Sequence, residues 1–102
     1  MPQKKTTKAD MVERIFPEVK ASKKNIRRIM NLFVEEIKEA LTQDRVVELR
    51  GFGTFERKAR KGGKARNPKT GASVEVEEHS VVAFRPGRDL KRLCWALKDE
   101  GR

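Results

Sequence analysis

Seven cationic side chains stand between Glu56 and Glu75, with no acid and no large apolar residue among them: Arg57, Lys58, Arg60, Lys61, Lys64, Arg66 and Lys69. In their midst lies the string Arg66-Asn67-Pro68-Lys69-Thr70-Gly71. Fixed positive charge at this density suits one task above others, the neutralisation of a polyanion. The stretch has almost nothing to bury, so burial does not offset the entropy of ordering it. Of the net charge of +10, this segment holds +7 and all other residues together +3. The charge is localised, which says more than its size.

Other chemistry is poorly supplied. His79 and Cys94 are each the only residue of their type. There is no metal-ligand cluster, no phosphate-cradling loop and no nucleophile with a histidine in pattern. The expectation is therefore a protein that is not an enzyme and needs no cofactor, metal or small-molecule substrate. A single cysteine rules out an intrachain disulfide and is compatible with a reducing compartment. No apolar run approaches about 18 residues, so no membrane span is expected. The basic start lacks an apolar segment behind it, so no secretory signal is expected either. A cytoplasmic location follows as an expectation. A chain of 102 residues is one domain at most. With 39% charged and 36% hydrophobic residues the core is thin, and such chains often complete one by oligomerising.

The elements that must carry the basic segment can be read from spacing. Residues 1–6 form a flexible basic lead. Thr7 is an N-cap with Asp10 three positions on, and Met11, Val12, Ile15, Phe16 and Val19 follow at helical intervals. Pro17 ends or distorts this helix. Ser22 caps a second, with Ile26, Ile29, Met30, Phe33, Val34, Ile37, Ala40 and Leu41 on one face over about twenty residues. A short loop between the two makes an antiparallel pair. Val46, Val47 and Leu49 begin a strand, and Gly51-Phe52-Gly53 makes a turn into a second strand that runs into the basic arm. Gly62, Gly63 and the string at 66–71 are turn-like. Val74, Val76, Val81 and Val82 form a return strand interrupted around Glu77 to Ser80. A final helix places Leu90, Leu93, Cys94 and Leu97 on one face, with Cys94 in the core. The class is α+β: two N-terminal helices, a three-stranded antiparallel sheet with a long β-ribbon arm at about 57–76, and a C-terminal helix. The domain spans residues 7–98, and 99–102 are a tail. Phe33, Phe52, Phe55 and Phe84 exceed what one small layer can cover, so a homodimer with a shared core is expected. The alternative is a monomer that packs all four.

At this point the chain resembles the HU/IHF family of bacterial DNA-bending proteins, over roughly Thr7 to Lys98. The carriers are Gly51-Phe52-Gly53, Phe55, Arg66-Asn67-Pro68 with Thr70-Gly71, and Phe84-Arg85-Pro86-Gly87 with Leu90-Lys91. The resemblance implies an intertwined dimer whose helical body sits under double-stranded DNA while two arms follow the minor groove. It also implies a proline wedge at each arm tip, here Pro68. This mechanism comes with the family as a whole. The residue chemistry agrees, because proline is compact, stiff and free of an N–H that would need desolvation. Arg66, Asn67, Arg50 and Lys69 are the expected minor-groove contacts. Lys8, Arg85, Arg88 and Lys91, with the arm cations Arg57, Lys58, Arg60, Lys61 and Lys64, are the expected backbone contacts. Lys4 and Lys5 add to them, and Arg92 lies one helical turn from Arg88.

Glu48-Leu49-Arg50 is similar to a Glu-x-Arg of one IHF subunit, where the arginine enters the groove and the glutamate orients it. Both would project from one strand face, and an exposed ion pair of little consequence is the alternative. Ala65 departs from the glycine common before Arg-Asn-Pro and would alter the tip if that site needs a positive φ. Trp95 lies off the last helix's stripe, against a partner or over Arg92. His79 is a surface or turn residue. The implied function is dimeric, minor-groove DNA bending that organises the nucleoid, with a preference for bent, nicked or gapped duplexes. Composition alone would equally allow a small RNA-binding or ribosome-associated protein.

Overall fold

The computed structural model describes residues 4–97; residues 1–3 and 98–102, which include the expected tail, lie outside it. The chain divides after Glu39 into two compact units. In the first, α1 spans Lys8–Ile15, a 3-10 turn covers Phe16–Glu18, and α2 starts at Lys23 and runs to Thr42. Thr7 and Asp10 cap α1 reciprocally. The Thr7 N–H donates to the Asp10 carboxylate at 2.9 Å and the Asp10 N–H to Thr7 Oγ1 at 3.3 Å. Donation to the carboxylate by the Thr7 N–H first, and then by the Thr7 hydroxyl at 3.0 Å, holds the Asp10 carboxyl below its ordinary 3.8. Pro17 sits where the α-helix gives way to the 3-10 turn, as its missing N–H requires. Ser22 Oγ accepts the Asn25 N–H at 3.1 Å and opens α2.

The two helices run antiparallel, as their cross-links show. Lys8 Nζ donates to Asn31 Oδ1, and Lys23 pairs with Glu13 at 3.0 Å. Advancing along α1 therefore means retreating along α2. Lys23 also lies 5.1 Å from the centre of the Phe16 ring.

The second unit begins with a helix stop. Asp44 adopts φ +59°, the Arg45 N–H donates to the Ala40 carbonyl at 2.9 Å and the Asp44 N–H to Leu41 at 3.1 Å. This double closure is a Schellman motif with aspartate at its left-handed position. Three strands follow as one antiparallel sheet in the order β1-β2-β5: β1 Val47–Leu49, β2 Gly53–Arg60 and β5 His79–Pro86. A separate ribbon pairs β3, Gly63–Arg66, with β4, Ser73–Val76. The arm is therefore jointed, where the sequence suggested an outgoing strand and an interrupted return. The interruption is also narrower than expected. Ser80 pairs with Ala59 and His79 with Arg60, so His79 is an exposed strand residue and the gap is Glu77-Glu78 alone.

The last helix, α3, spans Arg88–Trp95. It stops before Leu97, whose N–H bonds to the Cys94 carbonyl at 3.1 Å, so Leu97 does not extend the expected stripe. Cys94 is exposed, not in a core. It lines an open apolar groove with Phe84, Pro86, Leu90, Lys91 and Trp95. Trp95 remains 89% exposed, and no ring contact ties it to Arg92 among the described residues.

Apolar burial is meagre. Among the described residues only Val12, Ile26 and Leu41 are buried hydrophobics. Phe33, Phe52 and Phe84 are exposed, and Phe55 is half-buried. Phe52, Phe55 and Phe84 cluster, with centroid separations of 5.1 Å for Phe52–Phe84 and 4.7 Å for Phe55–Phe84. Among the described residues no helix is long and apolar enough to cross a membrane.

Candidate nucleic-acid interface

Strand alternation sorts the arm's cations onto faces. In register, Thr54 faces Arg85, Glu56 faces Ala83, Lys58 faces Val81 and Arg60 faces His79. One face of β2–β5 thus carries Arg85, Glu56, Lys58 and Arg60. The opposite face carries Phe55, Phe84, Arg57 and Val82. Arg57 is separated from its sequence neighbours for this reason, and its guanidinium pairs with Asp44 at 3.3 Å.

The polar face is not purely cationic. Half-buried Glu56 lies 3.7 Å from Lys58 Nζ and 3.8 Å from Arg85 Nη1. Arg85 is its diagonal neighbour across the ladder, two positions from the directly opposed Ala83. Two expected phosphate contacts therefore share one internal carboxylate. The Arg85 contact depends on the ladder's register, which the sequence does not display, whereas Glu56 and Lys58 are two apart on one strand.

Beyond Arg60 and His79 the ladder breaks for two residues on each side, Lys61-Gly62 and Glu77-Glu78. A Cβ on Gly62 would collide with the Val76 carbonyl oxygen and lie 2.9 Å from the Glu78 nitrogen, so only glycine fits this crossing. Outward of the joint, Lys64 and Arg66 share a face with Glu75 and Ser73, while Ala65, Val74 and Val76 occupy the other. Ala65 lies inside β3 without a positive φ. The left-handed residue of the tip is Gly71, at φ +72°, so alanine at 65 does not disturb the turn. Pro68 is exposed at the end of the ribbon and Lys69 follows it, also exposed.

Glu48 and Arg50 are placed differently from expectation. β1 ends at Leu49, and Arg50 belongs to a turn closed by the Phe52 N–H on the Leu49 carbonyl at 2.9 Å. Gly51, at φ +86°, supplies the left-handed third position. The turn takes Arg50 off the strand, so the two side chains do not share a strand face, and no ion pair joins them among the described residues.

In α3, Arg88, Lys91 and Arg92 fall at i, i+3 and i+4 and share one helix face. Lys8 donates from Nζ to the side-chain amide oxygen of Asn31. Lys4 and Lys5 are exposed ahead of α1. A second cationic group lies at Lys20, Lys23, Lys24, Arg27 and Arg28, with no acid among residues 20–28. Lys24, Arg27 and Arg28 line a shallow groove on α2 with Asn25, Asn31 and Glu35. The signal was a charge run overshadowed by the denser one in the arm.

Comparison with known proteins fits this geometry. The family model described as bacterial DNA-binding protein matches residues 6–94. Integration host factor subunit alpha of Xanthomonas campestris pv. campestris (strain B100) is 39% identical over 95 residues, covering 93% of this chain and 96% of that protein. The subunit alpha of Stenotrophomonas maltophilia (strain K279a) gives the same identity and coverage. Among solved structures, an Anabaena HU–DNA cocrystal structure superposes with a TM-score of 0.81 at 29% identity, over 90% of this chain and 100% of that one. A mutant HU from Thermotoga maritima superposes with a TM-score of 0.63 at 25% identity, over 86% and 97% of the two chains. The chain belongs to the bacterial DNA-binding protein family, that of HU and integration host factor.

Proposed function

We propose that two copies of the chain form a shared-core dimer that grips double-stranded DNA through the minor groove, bends it, and so organises the nucleoid. The observation that carries this reading is the arm tip. An exposed, apolar proline ends a ribbon whose one face presents Lys64 and Arg66. Cations hold the phosphates and the ring enters a base step, unstacking it without burying an orphan donor. On this reading Arg66 and Lys69 flank the wedge in the groove, Arg50 enters it from the body, and Glu48 has no direct hold on Arg50. Arg85, Arg88 and Lys91 hold flanking backbone, as do Lys58, Arg60 and Lys61 along the arm.

The dimer is supported by what a single chain leaves uncovered. Ordering a residue costs about 1–2 kcal/mol of backbone entropy, and the three buried hydrophobics among the described residues offset little of it. Phe33 on α2 and the Phe52–Phe55–Phe84 cluster are the surfaces a second copy would cover.

Energetics give the substrate preference. Electrostatic attachment supplies about 5–8 kcal/mol. Bending a site costs on the order of 1–6 kcal/mol, and unstacking adds a few kcal/mol per step. The two sides are comparable, so DNA that is already bent, nicked or gapped should bind more tightly. The test is Pro68→Ala in a FRET bending assay on intact and nicked duplexes. Bending should fall more than binding, and the preference for the nicked duplex should shrink. An unchanged bend angle would refute the wedge.

A further inference from the structure

We propose that Asn67 is a positioning residue that fixes the presentation of Pro68. The inference deepens the wedge reading and rests on it. From Arg57 to Ser80 every residue is exposed except Asn67, which is half-buried. Three hydrogen bonds converge on it. Its N–H donates to the Ala72 carbonyl at 2.8 Å, and its carbonyl accepts the Gly71 N–H at 2.7 Å. Its side-chain Oδ1 accepts the Lys69 N–H at 2.8 Å.

The last of these bonds spans Pro68. It closes an Asx turn around the proline, while the two backbone bonds close the wider loop from 67 to 72. Proline has a fixed φ and no N–H, so its remaining freedom at the tip is ψ. The Oδ1 bond restrains that torsion by holding the next amide. The ring is thereby aimed outward before any DNA arrives. The groove floor offers acceptors at A·T pairs, so Oδ1 has no role there, and the side-chain N–H groups are the donors that Asn67→Asp removes.

Aspartate keeps the acceptor and loses the side-chain donor, whereas alanine loses both. Asn67→Asp, Asn67→Ala and Asn67→Ala/Pro68→Ala are compared with the native chain. The first measurement needs no DNA: amide hydrogen exchange at Lys69 in the free protein. Native and Asn67→Asp chains should protect this amide, and Asn67→Ala should lose about fivefold to tenfold in protection. The second is the FRET bend angle at saturating protein on a nicked duplex. Asn67→Asp should keep the native angle at a higher protein concentration, since it adds negative charge. Asn67→Ala should fall to the angle of Pro68→Ala, and the double variant should fall no further.

Equal loss of bending by the aspartate and alanine variants would overturn the proposal, as would unchanged Lys69 exchange in Asn67→Ala. If the native chain does not bend DNA at all, the wedge reading fails instead. The exchange experiment then still decides whether Asn67 holds the turn.

Discussion

Glu56→Gln should make the protein bind DNA more tightly. The carboxylate stands 3.8 Å from Arg85 Nη1 and 3.7 Å from Lys58 Nζ. Each pair at that distance is worth about 1 kcal/mol in a water-like dielectric. The Arg85 side chain is 66% exposed and the Lys58 side chain 52%, while Glu56 is 23% exposed. Salt, and the entropy of holding exposed side chains in one geometry, bring each pair down to about 0.5 kcal/mol. A phosphate that takes either cation must displace Glu56 and forgo that energy. Removing the carboxylate relieves about 1 kcal/mol per protomer, roughly fivefold in Kd, with a ceiling near thirtyfold for a dimer engaging both sites. Fluorescence anisotropy on one duplex across a salt series reads both the affinity and the slope of log K against log salt. The slope should steepen, because cations freed from an internal partner exchange with more counterions on binding. Glu36→Gln on α2 supplies a control with the same change in net charge. Should Glu56→Gln leave Kd unchanged, or match the control, the carboxylate is not competing with phosphate.

Asp44→Gly should stabilise or leave unchanged the helix stop, since it removes a left-handed strain of about 1–2 kcal/mol while surrendering an exposed pair with Arg57 worth under about 1 kcal/mol; denaturant unfolding checks the sign. Gly62→Ala should unpair the outer ribbon, because the new methyl meets backbone at Val76 and Glu78. Exchange protection should vanish from β3–β4 while unfolding of the remainder shifts by no more than about 0.5 kcal/mol. Acidification should fray the start of α1. The folded Asp10 carboxyl is depressed, so its contribution is complete above the ordinary 3.8 and is lost as pH falls through the lower folded value. Amide shifts of Thr7 and Asp10 report this, and Asp10→Asn should abolish the transition.

Helix caps were legible because their chemistry is local: Thr7 with Asp10, and Ser22 ahead of Asn25, are decided within four residues. Pro17 and the twenty-residue stripe of α2 were legible for the same reason. The charge of the arm and the proline at its tip also show in composition alone. Registers did not show. Whether Glu56 meets Arg85, or Arg57 meets Asp44, depends on which residue opposes which across a ladder, and on the left-handed turn at Asp44 that aims its side chain. Arg50 was misplaced because the Gly51 turn begins one residue earlier than the strand pattern suggests. Cys94 was assigned to a core on helical spacing, but spacing names a face without naming what covers it. Here that face stays open.

The arm combines two opposed properties, and each has its own glycine. At the joint, Gly62 lets two backbones cross where a side chain would collide, and the ladder gives up its pairing for two residues on each strand. At the tip, Gly71 takes the left-handed conformation that lets its N–H return to Asn67. A jointed ribbon can follow a groove whose path changes as the duplex bends, which an unbroken ladder would resist. A wedge must do the opposite, since a ring that swivels spends binding energy on its own ordering and exerts less force on the stack. Placing the break inward of Lys64 and Arg66 keeps those cations and Pro68 on one short unit. On the proposed reading the two cations therefore stay beside the proline they help to seat.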